Sequence, residues 1–304
     1  MRRLRIGSAA AVAMVLPLVL GACGSDRTAK PAAARETEQT APSTTTTRPA
    51  GQATEKDFNR NSFDRPTNID NEWFPLKPGT QLVYDGSSIQ DGGRVRHGDV
   101  FTVTDLTKVI HGVRTVVVWD RDYSEGRLVE AELAFFAQDD DGNVWHLGQY
   151  PEEYEEGELV GHPAWIAGLE GAKPGISMRA QPRAGTSSYS QGFGPKVNWT
   201  DRARVSKTGQ RTCVPSGCYD GVLVTDEYTR DEPDAHQLKY YARGVGDVRV
   251  GWAGHDEEQE TLVLVKVVHL SPKALAEVRG AALKLEERAY GLSKDVYGHT
   301  PPAE

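Results

Sequence analysis

Apolar, β-branched and aromatic positions cluster in eight short runs separated by polar and turn-forming stretches. The runs are "GDVFTVTDL", "VRTVVVWDRDY", "LVEAELAFFAQ", "NVWHLGQY", "YDGVLVTDEY", "LKYYARGV", "DVRVGW" and "ETLVLVKVVHL". Each is rich in β-branched or aromatic residues and bounded by Gly, Asp or Pro, which predicts strands. Short turns join many of them, so they predict an antiparallel meander rather than βαβ units. "DVRVGW" puts Val248, Val250 and Trp252 on one face and Arg249 on the other, as in a strand with one wet face. "TLVLVKVV" is apolar on both faces until Lys266, which predicts a central strand covered on each side. Asp141-Gly142 is expected to form a hairpin turn.

The pattern changes once, near the C-terminus. Leu275, Val278, Ala282, Leu285 and Ala289 recur at steps of three and four, the stripe of an amphipathic helix. Ser271 suits the cap, Pro272 the first turn, and Gly291 the position just past the end. The fold class expected is therefore mainly β: an antiparallel meander sheet, open or curved into a barrel or half-barrel, with one C-terminal α-helix. The β-rich domain is expected over residues 63–270, the helix over 271–291 and a flexible tail over 292–304.

Composition changes the picture at the other end. Arg2, Arg3 and Arg5 precede an uncharged, mostly apolar run from Ile6 to Ala22, an export signal over residues 1–22. Leu20-Gly21-Ala22-Cys23 resembles the lipobox of bacterial lipoproteins. That resemblance implies a diacylglyceryl group on Cys23 and a chain held on the outer, extracytoplasmic face of the cell membrane. Residues 23–62 are rich in Thr, Pro and Ala, with no aromatic before Phe58, and are expected to form a disordered linker. The net charge of −8 and pI near 5.6 leave no basic stripe for nucleic acid.

With Cys23 assigned to lipid, Cys213 and Cys218 remain, in a compartment where disulfides persist. Four intervening residues do not suit a thioredoxin-like site, and the eight histidines are too dispersed to complete a zinc site. "Val-Pro-Ser-Gly" is a turn sequence, so the two cysteines are expected to face each other across a hairpin as a structural staple.

Candidate chemistry is thin. No nucleophile elbow, phosphate loop, dinucleotide fingerprint or paired-histidine zinc motif is present, so no catalytic residue, metal or cofactor is predicted. The acidic runs at 139–141, 151–158 and 256–260 read as solvated loops, not calcium sites. Glu152, Glu153, Asp120 and Asp122 are carboxylates available for acid–base work, and nothing in the sequence selects among them. "AWIAGLEGAKPGISM" at 164–178 is too apolar for a plain solvated loop. It suggests a cavity lined by Trp145, Trp165, Ile176 and Met178, with Lys173 or Arg243 at its mouth.

Four pieces resemble a family of uncharacterised secreted or lipid-anchored bacterial proteins. They run from Ile69 to Thr80 (Ile-Asp-Asn-x-x-Phe-Pro-Leu-x-Pro-Gly-Thr), Ala137 to Trp145, Gly171 to Ile176 and Tyr241 to Gly246. The resemblance spans most of residues 68–270, with Glu72-Trp73 where Pro-Tyr is more usual, and implies a β-rich envelope domain but no particular activity. Three readings follow. The first is a non-enzymatic binding domain for an apolar small molecule or envelope component. The second is a scaffold that offers the helix stripe or sheet edge to an envelope protein. The third is a carboxylate-dependent hydrolase.

Overall fold

The strand signals become long ladders. The computed structural model describes residues 53–304, so the signal, Cys23 and most of the linker lie outside the described residues. A first meander contains β1 (Thr80–Gln90), β2 (Gly93–Ile110), β3 (Val113–Ser124), β4 (Arg127–Gln138) and β5 (Val144–Glu155). The short β6 (Glu158–Gly161) and β7 (Trp165–Ile166) pair back onto β5. Then come β8 (Lys173–Met178), β9 (Tyr189–Ser190) and β10 (Gly192–Phe193). A second meander contains β11 (Arg202–Val214), β12 (Gly217–Tyr228), β13 (Ala235–Ala242), β14 (Gly246–Gly254) and β15 (Thr261–His269). The helix α1 spans Pro272–Leu292.

Local chemistry explains the tight hairpins. Asp91-Gly92, His111-Gly112, Glu125-Gly126 and Glu156-Gly157 each place two successive residues at positive φ, between 49° and 88°. That is the backbone of a type I′ turn, whose twist matches that of paired strands.

The sheet order runs β10-β8-β5-β4-β3-β2-β1-β15-β14-β13-β12-β11-β9, so β1 and β15 join the two meanders. Its first and last strands, β10 and β9, are separated in the chain by Gln191 alone. Gly175 on β8 lies so close to residues 190–192 that a Cβ would sit 2.1 Å from the Gly192 nitrogen. The two ends of the sheet therefore meet there without a ladder between them. The sheet curls but does not close into a barrel.

Two buried layers follow from this curl. Inside, Val103, Val116, Val118, Ala134, Phe136, Val205, Leu223 and Tyr241 draw both meanders into one cluster. Residues 69–76 fill the space between them as a plug: Ile69, Trp73 and Leu76 join the cluster, and the Phe74 ring meets Phe136 at 5.6 Å and Tyr241 at 6.2 Å. Asn71 shapes this plug. Its Oδ1 accepts from the Trp73 and Phe74 amides, and its Nδ2 donates to the Gly142 and Arg179 carbonyls. Outside, Ala282, Leu285 and Ala289 of α1 pack with Leu106, Ile110, Val117, Leu133, Phe135 and Leu147. Full burial of a leucine such as Leu285 contributes about 2 kcal/mol. Alternate residues of β3 and β4 thus serve opposite layers.

The disulfide is in place, with Cys213 and Cys218 opposed across the β11–β12 hairpin and Cα atoms 4.0 Å apart. Closing so short a loop stabilises the fold by about 2 kcal/mol on the chain-entropy argument.

Four expectations need correction. Strand β15 is central in the sheet, but Lys266 and Val267 on it are exposed, because α1 covers β2–β5 instead. Helix α1 runs through Gly291 to Leu292 and is capped by Ser293. Residues 53–62 are not linker: Ala53 is buried, and Phe58 packs on Phe63 and Trp145. Residues 292–304 do not trail away. Tyr297 is buried, and Glu304 and Thr107 exchange two backbone hydrogen bonds on β2.

Candidate functional site

Each inner strand changes character along its length. On β2 the inward positions run from Val103 through Phe101 to Asp99 and His97. On β3 they run from Val118 to Asp120 and Asp122, and on β4 from Ala134 to Glu132 and Glu130. Across the interior, β13 runs from Tyr241 through Lys239 to Gln237, and β12 from Leu223 through Thr225 to Glu227. The plug covers the apolar end. The other end is a surface of carboxylates and amides contributed by both meanders.

Its contacts are specific. The buried His97 ring places Nε2 2.8 Å from Glu260 Oε1 and 3.3 Å from Asp122 Oδ1. Gln237 Nε2 donates to the other oxygen of Glu260. Lys239 Nζ is 3.0 Å from Glu227 Oε2, and Thr225 donates to Glu227 Oε1 at 3.2 Å. Asp99 and Asp120 lie close enough for each carboxyl to act on the other's acidity.

The electrostatics agree. Burial pushes the Asp99 carboxyl well above the ordinary range, and the negative Asp120 and Asp122 beside it add to the rise. Asp120 is raised by burial, then partly relieved by its hydrogen bond with Asp99. Glu132 is raised well above its usual value, first by burial and then by Glu130 and Asp120. Burial holds His146, farther along the interior, neutral, with its pKa lowered to about 3.

Three oxygens at this end have no hydrogen-bond partner: Asp99 Oδ1, Glu132 Oε1 and Gln237 Oε1. Glu132 and Gln237 are 3% and 6% exposed. A fourth, Gln149 Oε1, shares the inner face but opposes Ala134, nearer the apolar end. All three at the acidic end are acceptors. Among the described residues no group of three His, Cys, Asp or Glu side chains is arranged to hold a metal ion.

The six residues expected to line an apolar cavity are not brought together around one. Trp145 is buried in the outer layer with Ile176, its ladder partner, and donates from Nε1 to Asp139 at 2.7 Å. Met178 is packed in the inner apolar cluster. Trp165 lies 4.9 Å from both Trp199 and His146 at the place where the sheet ends meet. Lys173 is exposed at the start of β8, and Arg243 is exposed across the fold. The glycine-rich segment 164–178 is wall, not mouth, because β7 and β8 both pair with β5.

The four resemblance motifs also have structural work. Asn71 bonds the Gly142 carbonyl in the second motif, and Gly244 in the fourth donates to the Glu72 carbonyl in the first. Gly175 in the third allows the close approach of the sheet ends. The unusual Glu72-Trp73 pair is matched by Arg243, which pairs with Glu72 and lies 4.1 Å over the Trp73 ring. All four therefore hold the plug or the seam.

The acidic site escaped the motif search because its signal is a period, not a motif. "Asp-Arg-Asp" at 120–122 and "Glu-Ala-Glu" at 130–132 repeat acids at every second position of a strand, which places them on one face. Of the four carboxylates singled out from sequence, Asp120 and Asp122 belong to the site. Glu152 is clamped by Arg288 of α1, with Arg288 Nη2 2.6 Å away. Glu153 opposes Glu130, and burial raises its carboxyl.

No protein-family model matches the chain, and no curated protein sequence does. Two solved structures resemble it. One, from Bacteroides fragilis, is described as an exported protein with a YmcC-like fold; it has a TM-score of 0.36 and 14% identity over 65% of this chain and 99% of that one. The other, from Parabacteroides distasonis, is described as a lipoprotein and has a TM-score of 0.33 and 13% identity over 66% of this chain and 100% of that one. Likeness of that extent carries no functional argument.

Proposed function

We propose that the chain is a lipid-anchored, extracytoplasmic, non-enzymatic binding protein whose ligand is a small polar molecule held at the acidic end of the sheet's interior. The anchor rests on the export signal and the lipobox resemblance at Cys23. The ligand site rests on one observation: three orphaned acceptors lie on the acidic end of the inner face, and two of the side chains are almost wholly buried. Leaving a buried acceptor unsatisfied costs about 1–3 kcal/mol. A protein that keeps three at one end retains them for something that donates. An apolar ligand fits poorly, because the apolar end is filled by residues 69–76. Docking through the α1 stripe fits poorly too, since none of its five apolar residues is exposed.

The test is native mass spectrometry on the full chain taken from its own membranes, beside Glu132→Gln. A polar small molecule carried by the wild type and missing from the variant supports the reading. A wild-type chain that carries nothing, and whose Tm no polar compound raises, overturns it. A second reading draws on Asp99 and Asp120, neighbouring carboxyls both raised by burial, since such a pair can supply one acid and one base. It requires turnover of a bound ligand that stops in Asp120→Asn, and binding without turnover excludes it.

A further inference from the structure

Building on that reading, we infer that the ligand is an organic cation bearing a primary ammonium group, as in a polyamine or an amino sugar. Three independent features point to this class. The first is the sign of the site. Asp99, Asp120, Asp122, Glu130, Glu132 and Glu260 converge from three adjacent strands and the loop before β15. The nearest lysine on the facing strands, Lys239, is bound to Glu227. A cation would offset this charge, whereas an anion would add to it.

The second feature is that the three orphaned atoms at this end, Asp99 Oδ1, Glu132 Oε1 and Gln237 Oε1, all accept. A carboxylate has only acceptors to offer, and Gln237 donates from its amide nitrogen to Glu260 and leaves Oε1 unpartnered. An ammonium group is all donors, with three N–H bonds that can be shared among converging oxygens. A sugar hydroxyl would satisfy one acceptor and present a new one. A bare calcium ion needs six to eight oxygens in one shell, and among the described residues no three-ligand group is arranged for a metal.

The third feature is aromatic. Trp252 on β14 directly opposes Gln237 on β13, so its side chain leaves the sheet on the same face. It is 38% exposed at the strand's end, while Val248 and Val250 on that face are buried. An exposed indole opposite Gln237 is suited to the carbon-bound side of an ammonium ion through its π face. A solvated strand end has no need of so large an apolar ring.

Isothermal titration of the full chain in detergent at pH 7 and moderate salt distinguishes the possibilities, with spermidine, glucosamine, glucose and calcium chloride as probes. Saturable binding of spermidine or glucosamine, at least tenfold tighter than glucose, is the expected result, and which amine binds separates the two sources. Glu132→Gln should weaken binding tenfold or more, and Trp252→Ala several-fold. Thermal melts of both variants confirm that they remain folded. Glucose binding as well as glucosamine, with both weakened in Glu132→Gln, would overturn the ammonium inference and leave the polar-ligand reading standing. Calcium binding that displaces the amines and is lost in Glu132→Gln would overturn it in favour of a metal. Amine binding that ignores Glu132→Gln and vanishes with salt would overturn both, as would no binding of any probe to a chain that carries no ligand of its own.

Discussion

Two of the places where the described residues bury charge are treated oppositely. On the outer side, Lys108 is 1% exposed, and its Nζ reaches Glu286 Oε1 at 2.7 Å, the Tyr290 hydroxyl at 3.0 Å and the Pro301 carbonyl at 2.6 Å. The Tyr297 ring lies 4.3 Å beneath that ammonium. Glu286 in turn accepts from Tyr297 and from the Ala303 amide. Every partner comes from β2, α1 or the tail, so the cluster clamps the C-terminus to the sheet. On the inner side, Glu132 is just as buried but leaves Oε1 without a donor, among like charges. A satisfied buried pair holds a fold together, whereas an unsatisfied, one-signed set subtracts from stability. The difference separates a structural cluster from a candidate binding site.

The largest expected effect comes from breaking the outer cluster. Lys108→Met leaves Glu286 buried and uncompensated, and should cost about 3–5 kcal/mol. That corresponds to a fall in Tm of roughly 10 °C for a domain of this size, read by calorimetry. A variant within 1 °C of the wild type would show that the pair is not a clamp. The next effect is a reversal of sign under the same substitution. Glu286→Gln should lower stability by about 1–3 kcal/mol, because it removes a charged acceptor that three donors use. Glu132→Gln should instead raise Tm by a few degrees at pH 8, because it removes a buried carboxyl that is costly to ionise and lacks a donor. Equal destabilisation by both would erase the distinction.

Acidity sharpens the same contrast. Asp99, Asp120 and Glu132 are all raised above their usual values by burial, and burial lifts Asp247 to about 7 against the opposing pull of Lys239. A carboxyl raised in the fold contributes most below its unfolded pKa near 4, and that contribution is lost as pH rises through the folded value. Between pH 5.5 and 8 the native state therefore binds more protons than the unfolded chain. Glu152, lowered by Arg288 and its tyrosine partners against the opposing effect of burial, has the opposite slope, but only at more acidic pH. Thermal melts should show a Tm several degrees higher at pH 5.5 than at pH 8, and Asp247→Asn should shrink the difference. A flat profile would mean that these groups are ionised without cost. The smallest effect belongs to Trp252→Ala, which should shift stability by less than about 0.5 kcal/mol, as expected for an exposed side chain.

Much of this was open to reading in one dimension. The β-branched and aromatic runs "VRTVVVWDRDY" and "LVEAELAFFAQ" appear as β3 and β4, and the helix stripe as α1. The turn between Cys213 and Cys218 also set their pairing, since two cysteines flanking a tight hairpin loop have little freedom to do otherwise. Strand β15 misled because an apolar run reports what it could bury, not what arrives to cover it. The tail misled for a related reason: it is ordered by the needs of Lys108, which lies almost two hundred residues earlier.

The sequence by itself determined the elements of this protein, because strand period, helix period and turn chemistry are local properties written within a few residues. Tertiary structure alone decided which way the sheet curls, that residues 69–76 plug one end, and that Gln237 and Glu260 meet His97 and Asp122 at the other. Those contacts join residues more than a hundred positions apart. They depend on accumulated twist and on the close approach at Gly175, which no single stretch of chain encodes.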